Sequence, residues 1–188
     1  MPAVSRRMTR MRWIMFFILL YVMSAMEKAH FLGIPSGDRH WPVILYLPML
    51  AVFYSLFAVE TAAPLAALAC GIVLDLLSGS GVLVGSSMIP LGLMSLLIVR
   101  ARLVIFREHM LAQAVMTFVG LVLFAILATL FRKLIGSPAL EGQSAWTHFG
   151  HLFVDAIYSA IAAPFLFWVF FRFPSMLGFT MQRHWGRR

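Results

Sequence analysis

The chain has 188 residues, 62% of them hydrophobic and only 12% charged, with a formal net charge of +8 and a mean hydropathy of +0.91. A soluble globular domain carries roughly 25% charged residues, so too few charges are present here to build a water-exposed surface. That balance excludes an ordinary soluble domain and points to an integral membrane protein whose apolar faces meet lipid. The basic residues lie between apolar runs, so anionic headgroups and topology signals account for them more simply than nucleic acid does. Cys70 is the only cysteine, which rules out an intrachain disulfide and a cysteine-rich metal site. Inside an apolar run it reads as a small buried side chain.

Six apolar runs follow one another along the chain. The first, residues 13–26, is short and comes after the basic stretch 1–12. Residues 42–59 form the second, and residues 61–77, with Asp75 near the end, form the third. Residues 82–99 and 110–131 are the fourth and fifth, and 146–171 is the sixth, holding His148, His151 and Asp155. A helix needs about 20 residues to cross the hydrocarbon core, with a range of roughly 17–25. Four runs meet that length easily, and the first and third borrow flanking residues. The runs are continuous rather than alternating, which disfavours strands. The expected fold is an all-α polytopic membrane protein, a six-helix transmembrane bundle over residues 13–173. A basic cytoplasmic N-terminus, 1–12, precedes it, and a basic cytoplasmic tail, 174–188, follows.

Arginine placement orients that bundle. With six crossings and both termini in the cytoplasm, eleven of the fifteen basic residues fall on the inner side: Arg6, Arg7, Arg10 and Arg12, then Arg100, Arg102 and Arg107, then Arg172, Arg183, Arg187 and Arg188. Lys28, Arg39, Arg132 and Lys133 are left outside. The asymmetry follows the positive-inside rule and predicts a multi-pass membrane protein with both termini in the cytoplasm. A basic start before an apolar run also describes a signal peptide, but Ser24-Ala25-Met26 is a poor cleavage site. Pro48, Pro64, Pro90 and Pro164 fall inside the runs, where neighbouring helices or waters must satisfy the freed carbonyls. Ala67-x-x-x-Gly71, Gly81-x-x-x-Gly85 and Ala156-x-x-x-Ala160 are spacings that let helices approach closely.

Asp75 is the costly residue, because an ionised aspartate at a membrane helix centre costs about 2.5–3.5 kcal/mol. It sits about one turn before Ser78-Gly79-Ser80-Gly81, the outer turn. A carboxylate in the last turn of a helix is opposed by the helix dipole, so Asp75 does not serve its own helix. Two explanations stand open: it accepts hydrogen bonds from the Ser-Gly-Ser-Gly turn, or it pairs with an outer cation such as Arg39 or with a group on another protein. Gly71-Ile-Val-Leu-Asp75-Leu-Leu-Ser78-Gly79-Ser80 resembles the G-x-x-x-D-x-(L/I)-S-G-S signature of the rod shape-determining protein MreD family. Arg39-His40-Trp41-Pro42 before the second run, Gln113-Ala114 in the fifth and Pro164 in the last are similar to further family features. The proline here follows the tryptophan, and the gap from Asp75 is slightly long, so either Gly81 or Gly85 matches the family's later glycine.

The resemblance implies a non-enzymatic scaffold of the bacterial cell-wall elongation complex. Family members are thought to act with the single-span protein MreC and, through it, with MreB filaments, RodA and its transpeptidase partner. It also implies a fold like the substrate-binding (S) subunits of energy-coupling-factor transporters. On this reading Asp75→Ala weakens assembly while surface changes on helix 5 do little.

His148, His151, Asp155 and Tyr158 recur at steps of three, four and three, one polar stripe on a helix. Imidazole and carboxylate are fair zinc ligands, but His and Tyr commonly sit at the outer interface where this stripe begins. It reads as a polar seam toward another helix or a partner, with His151 the nearest candidate partner of Asp155, and no metal or cofactor is expected. Leu74 before Asp75 and Val154 before Asp155 lack the contexts of an aspartyl intramembrane protease. Ser78 and Ser80 likewise lack the glycine of a serine one, so no nucleophile–base pair can be argued. A substrate-capture subunit of a vitamin-type transporter is the alternative function, with Asp155 and the histidines as ligand contacts. Glu60, in the short inner turn, is placed to cap the third helix.

Overall fold

In a computed structural model the described residues, 2–29, 43–78, 85–101, 110–135 and 145–172, form six α-helices. They are α1 (Pro2–Lys28), α2 (Tyr46–Phe57), α3 (Ala62–Leu77), α4 (Met88–Ala101), α5 (Met110–Ile135) and α6 (Ala145–Arg172). Each apolar run corresponds to one of them, and α1, α4, α5 and α6 extend beyond their runs. α5 over Gln113–Ile135 and α6 over Phe149–Phe170 are long and apolar enough to cross a membrane.

The middle helices are shorter than their runs. α2 has 12 residues, α3 has 16 and α4 has 14, about 18–24 Å at 1.5 Å per residue. Prolines account for much of the difference. Pro48, Pro64 and Pro90 are each the third residue of their helix, in the first turn, where backbone N–H groups lack intrahelical partners anyway. These three therefore mark helix starts and are not interior breaks needing rescue. Among the described residues only Pro164 lies in a helix interior, beyond the first turn.

α2 occupies the centre. Eleven of its twelve residues, Tyr46 to Leu56, are buried, and all five other helices pack on it. α5 and α6 pair most extensively, as do α3 and α4. Toward one end of the bundle, Phe53 meets Phe167 and Phe170 of α6 at ring-centroid distances of 5.1 and 4.9 Å. Tyr54 meets Phe16 of α1 edge-on at 4.9 Å, so aromatic contacts bind three helices there. Deeper in, Ser55 Oγ donates to Ser95 Oγ at 2.8 Å, a fully buried bond between α2 and α4. Ala67, Gly71, Ala156 and Ala160 of the small-residue spacings are buried as well.

The turn between α2 and α3 is closed by backbone. The amides of Ala62 and Ala63 both donate to the Val59 carbonyl. Thr61 is the residue before α3 and its side chain makes no capping bond; Glu60 precedes it and is exposed. Glu60 thus stands beside the N-terminal end of α3, where a negative charge is favoured.

Candidate functional site

Asp75 is 2% exposed, in the last turn of α3, and its carboxylate points at the start of α4. Oδ2 accepts from the Gly85 amide at 2.7 Å and the Met88 amide at 3.4 Å. Oδ1 accepts from the Ser87 amide at 2.9 Å and the Ser86 hydroxyl at 3.1 Å. These donors are the groups that a helix N-terminus leaves unsatisfied, and they carry the positive end of its dipole. The electrostatics therefore reverse between the two helices: the charge that the end of α3 disfavours is what the start of α4 requires.

Two glycines make the geometry possible. Gly85 turns the chain into α4 with φ +110°, a left-handed conformation that side chains rarely adopt. Gly71, one turn before Asp75, lets α4 approach: a Cβ there would fall on Met88 Cα, 2.9 Å from Met88 N and 3.1 Å from the Ser87 carbonyl oxygen. One turn of α3 thus supplies both the space for the neighbouring helix start and the carboxylate that holds it.

The turn-clamp expectation for Asp75 is right in kind, with different partners. Ser78 closes its own helix, its hydroxyl donating to the Leu74 carbonyl at 2.8 Å. The donors to Asp75 come from beyond the turn, at Gly85 to Met88. Of the two candidate later glycines, Gly85 bonds Asp75; Gly79, Ser80 and Gly81 lie outside the described residues, as do Arg39 and Trp41. Among the described residues a cation does stand nearby, Arg132 of α5, whose Nη2 donates to Ser87 Oγ at 3.2 Å.

A second site of the same kind holds the start of α2. Residues 43–45 are not helical, so their amides need outside acceptors. Asp155 Oδ1 accepts from the Val43 amide and Ser159 Oγ from the Leu45 amide, both at 2.9 Å. Glu27, at the end of α1, takes the next two amides on Oε2, Tyr46 at 2.7 Å and Leu47 at 3.2 Å. Replacing Glu27 with Ala is expected to destabilise the bundle by about 2 kcal/mol, the scale of a lost helix cap. Gln, which keeps an acceptor oxygen, should recover most of that. Cys70 is the chain's sole thiol and fully buried, so its labelling by a thiol-reactive dye on heating measures the loss directly.

Asp155 is buried against the entry to α2, His151 is half-buried and Tyr158 lies at the surface; the His148 side chain lies outside the described residues. Asp155 meets protein, as expected of the deepest polar group in the stripe, and the bond seen here is to the Val43 amide. Gln113 opens α5 half-buried, its carbonyl accepting from the Thr117 hydroxyl at 2.8 Å. Among the described residues no three His, Cys, Asp or Glu side chains are grouped to hold a metal ion.

Glu27, Ser159, Ser86, Ser87 and Arg132 are site residues that sequence reasoning missed. Ser86-Ser87 before Met88-Ile89-Pro90 was the available signal, since serines followed by a first-turn proline mark a helix start. Glu27 carried a weaker one, an acid closing a run with no earlier acid in the chain. Compared with known protein families, curated proteins and solved structures, the chain has no match.

Proposed function

We propose that this chain is a membrane-embedded, non-enzymatic scaffold of the bacterial cell-wall elongation complex, similar to MreD, which docks the single-span protein MreC. Contact with MreB filaments, RodA and its transpeptidase partner would be indirect. The observation that carries the reading is the bonding of Asp75. The residues that bear the family resemblance, Gly71 and Asp75, are spent on the backbone of α4, as a motif with a shape-keeping role would be. Chemistry on a substrate would instead leave such an acid facing an open site.

The distribution of polarity supports the membrane part of the proposal. Leu65 of α3, Leu97 of α4, Leu130 of α5 and Trp168 of α6 are each at least half exposed, while Asp75, Asp155, Ser55, Ser95 and Thr117 are buried. Apolar faces turned outward around polar contacts suit lipid as the surrounding medium. By the arginine asymmetry the chain would sit N-in and C-in, so the held starts of α2 and α4 lie toward the outer side. There irregular backbone is tolerated only where protein satisfies it. We include in the proposal a fold similar to the S subunits of energy-coupling-factor transporters. The transport function itself is less favoured, because Asp155 and Ser159, which it would assign to a ligand, hold the chain entering α2.

Co-expression with tagged MreC tests the proposal. The two proteins should leave the membrane fraction together in mild detergent. Recovery of MreC without this chain, or of this chain in the soluble fraction, would sink it.

A further inference from the structure

Arg132 is the feature that neither the turn motif nor the helix starts require. It is half-buried near the outer end of α5, on a helix that is otherwise apolar from Val115 to Phe131 apart from Thr117 and Thr129. A membrane helix does not bear the cost of a guanidinium without a partner, and an intramembrane charge marks a functional position by default. Its neighbour Lys133 is exposed and is well explained as a residue reaching the interface. Arg132 instead turns inward, donating from Nη2 to Ser87 Oγ, while the Ser87 amide is bound to Asp75 Oδ1. The same serine therefore joins the carboxylate of α3 to the cation of α5 across the first turn of α4. The Asp75 carboxyl and the Arg132 guanidinium are thus the two ends of one hydrogen-bonded chain through Ser87.

We infer that Arg132 is a positioning residue of the Asp75 site, tying α5 to the α3–α4 hairpin so that the outer ends of these three helices form one docking unit. The inference rests on the scaffold reading for what docks there, and on geometry alone for the coupling. The expectation that surface changes on helix 5 do little concerns exposed positions, and half-buried Arg132 falls outside it. A lysine fits the site poorly, because a single ammonium cannot reproduce the planar, several-donor geometry of the guanidinium. It does keep the charge beside Asp75.

The test is a double-substitution cycle on the full chain in detergent, reading the midpoint of Cys70 labelling on heating. In the parent, Arg132→Gln should lower the midpoint by about 5 °C. In an Asp75→Asn background the same change should lower it much less, because the site Arg132 serves has lost its charge. Equal losses in the two backgrounds would overturn the coupling. Ser87→Ala, which removes only the hydroxyl and keeps the amide bonded to Asp75, is the milder partner should Asp75→Asn fail to fold. It should blunt the Arg132→Gln effect too, and an undiminished effect would again overturn the coupling. Recovery of the tagged single-span partner supplies the readout that stability alone would not move. At matched midpoints Arg132→Lys should retain more partner than Arg132→Gln, and Lys133→Gln should retain all of it. Equal recovery with Lys and Gln, or a loss with Lys133→Gln, would overturn the docking unit. A parent that recovers no partner refutes the scaffold reading, and the melting cycle still decides the coupling.

Discussion

Asp75→Ala should be the most damaging single substitution in the bundle, costing about 3–5 kcal/mol of stability and shifting Cys70 labelling to markedly lower temperature. The change strips the acceptor from three backbone amides and one hydroxyl at once. It also breaks the hydrogen-bonded chain that runs from Asp75 through Ser87 to the half-buried Arg132. Removing one partner of a buried charged network costs far more than the network contributes net, since the remaining groups keep their desolvation penalty. Asp75→Asn should fall between parent and alanine: one carbonyl oxygen still accepts, but the charge that suits the α4 dipole is gone. A parent-like melting curve for Asp75→Ala would mean that water or another group satisfies the α4 start, and the account of this hairpin would fail.

Gly71→Ala is the second large effect, about 3 kcal/mol, and it arises from space instead of charge. The added methyl would meet main-chain atoms of Ser87 and Met88, which cannot swing aside as a side chain can, so α3 and α4 must separate. Separation lengthens every bond from Asp75 to the α4 amides, so the steric and polar penalties compound. Gly92→Ala is the internal comparison. A Cβ at Gly92 meets only the Leu68 side chain, 2.7 Å from its Cδ2, and a flexible leucine end can yield. Thermal labelling of Cys70 should place Gly71→Ala well below Gly92→Ala, and the reverse order would contradict the packing described here.

The two effects share one architectural cause. Short helices α2 and α4 begin inside the bundle, and each start is held by carboxylates from flanking helices: Asp75 for α4, Glu27 and Asp155 for α2. Side chains distant in sequence thus do what a local cap does in a soluble helix. The bond from Asp155 to Val43 spans 112 residues of chain.

Much of this protein was legible in its sequence because the causes are local. Six apolar runs, each uninterrupted over helix-length stretches, dictate six helices wherever the chain folds. The cost of a carboxylate in apolar surroundings singled out Asp75 and Asp155 as needing partners. Gly71 and Asp75 one turn apart necessarily share a helix face. What only the tertiary structure decided is which groups meet those carboxylates and where the middle helices start. Ser86 and Ser87 meet Asp75 from the turn entering α4, Arg132 of α5 bonds to Ser87, and Glu27 and Ser159 reach the start of α2 from opposite ends of the chain. Periodicity ranks residues along one helix and carries no information about rotation or depth against its neighbours. Those are settled by how side chains pack around α2, and with them the identity of every partner in the site.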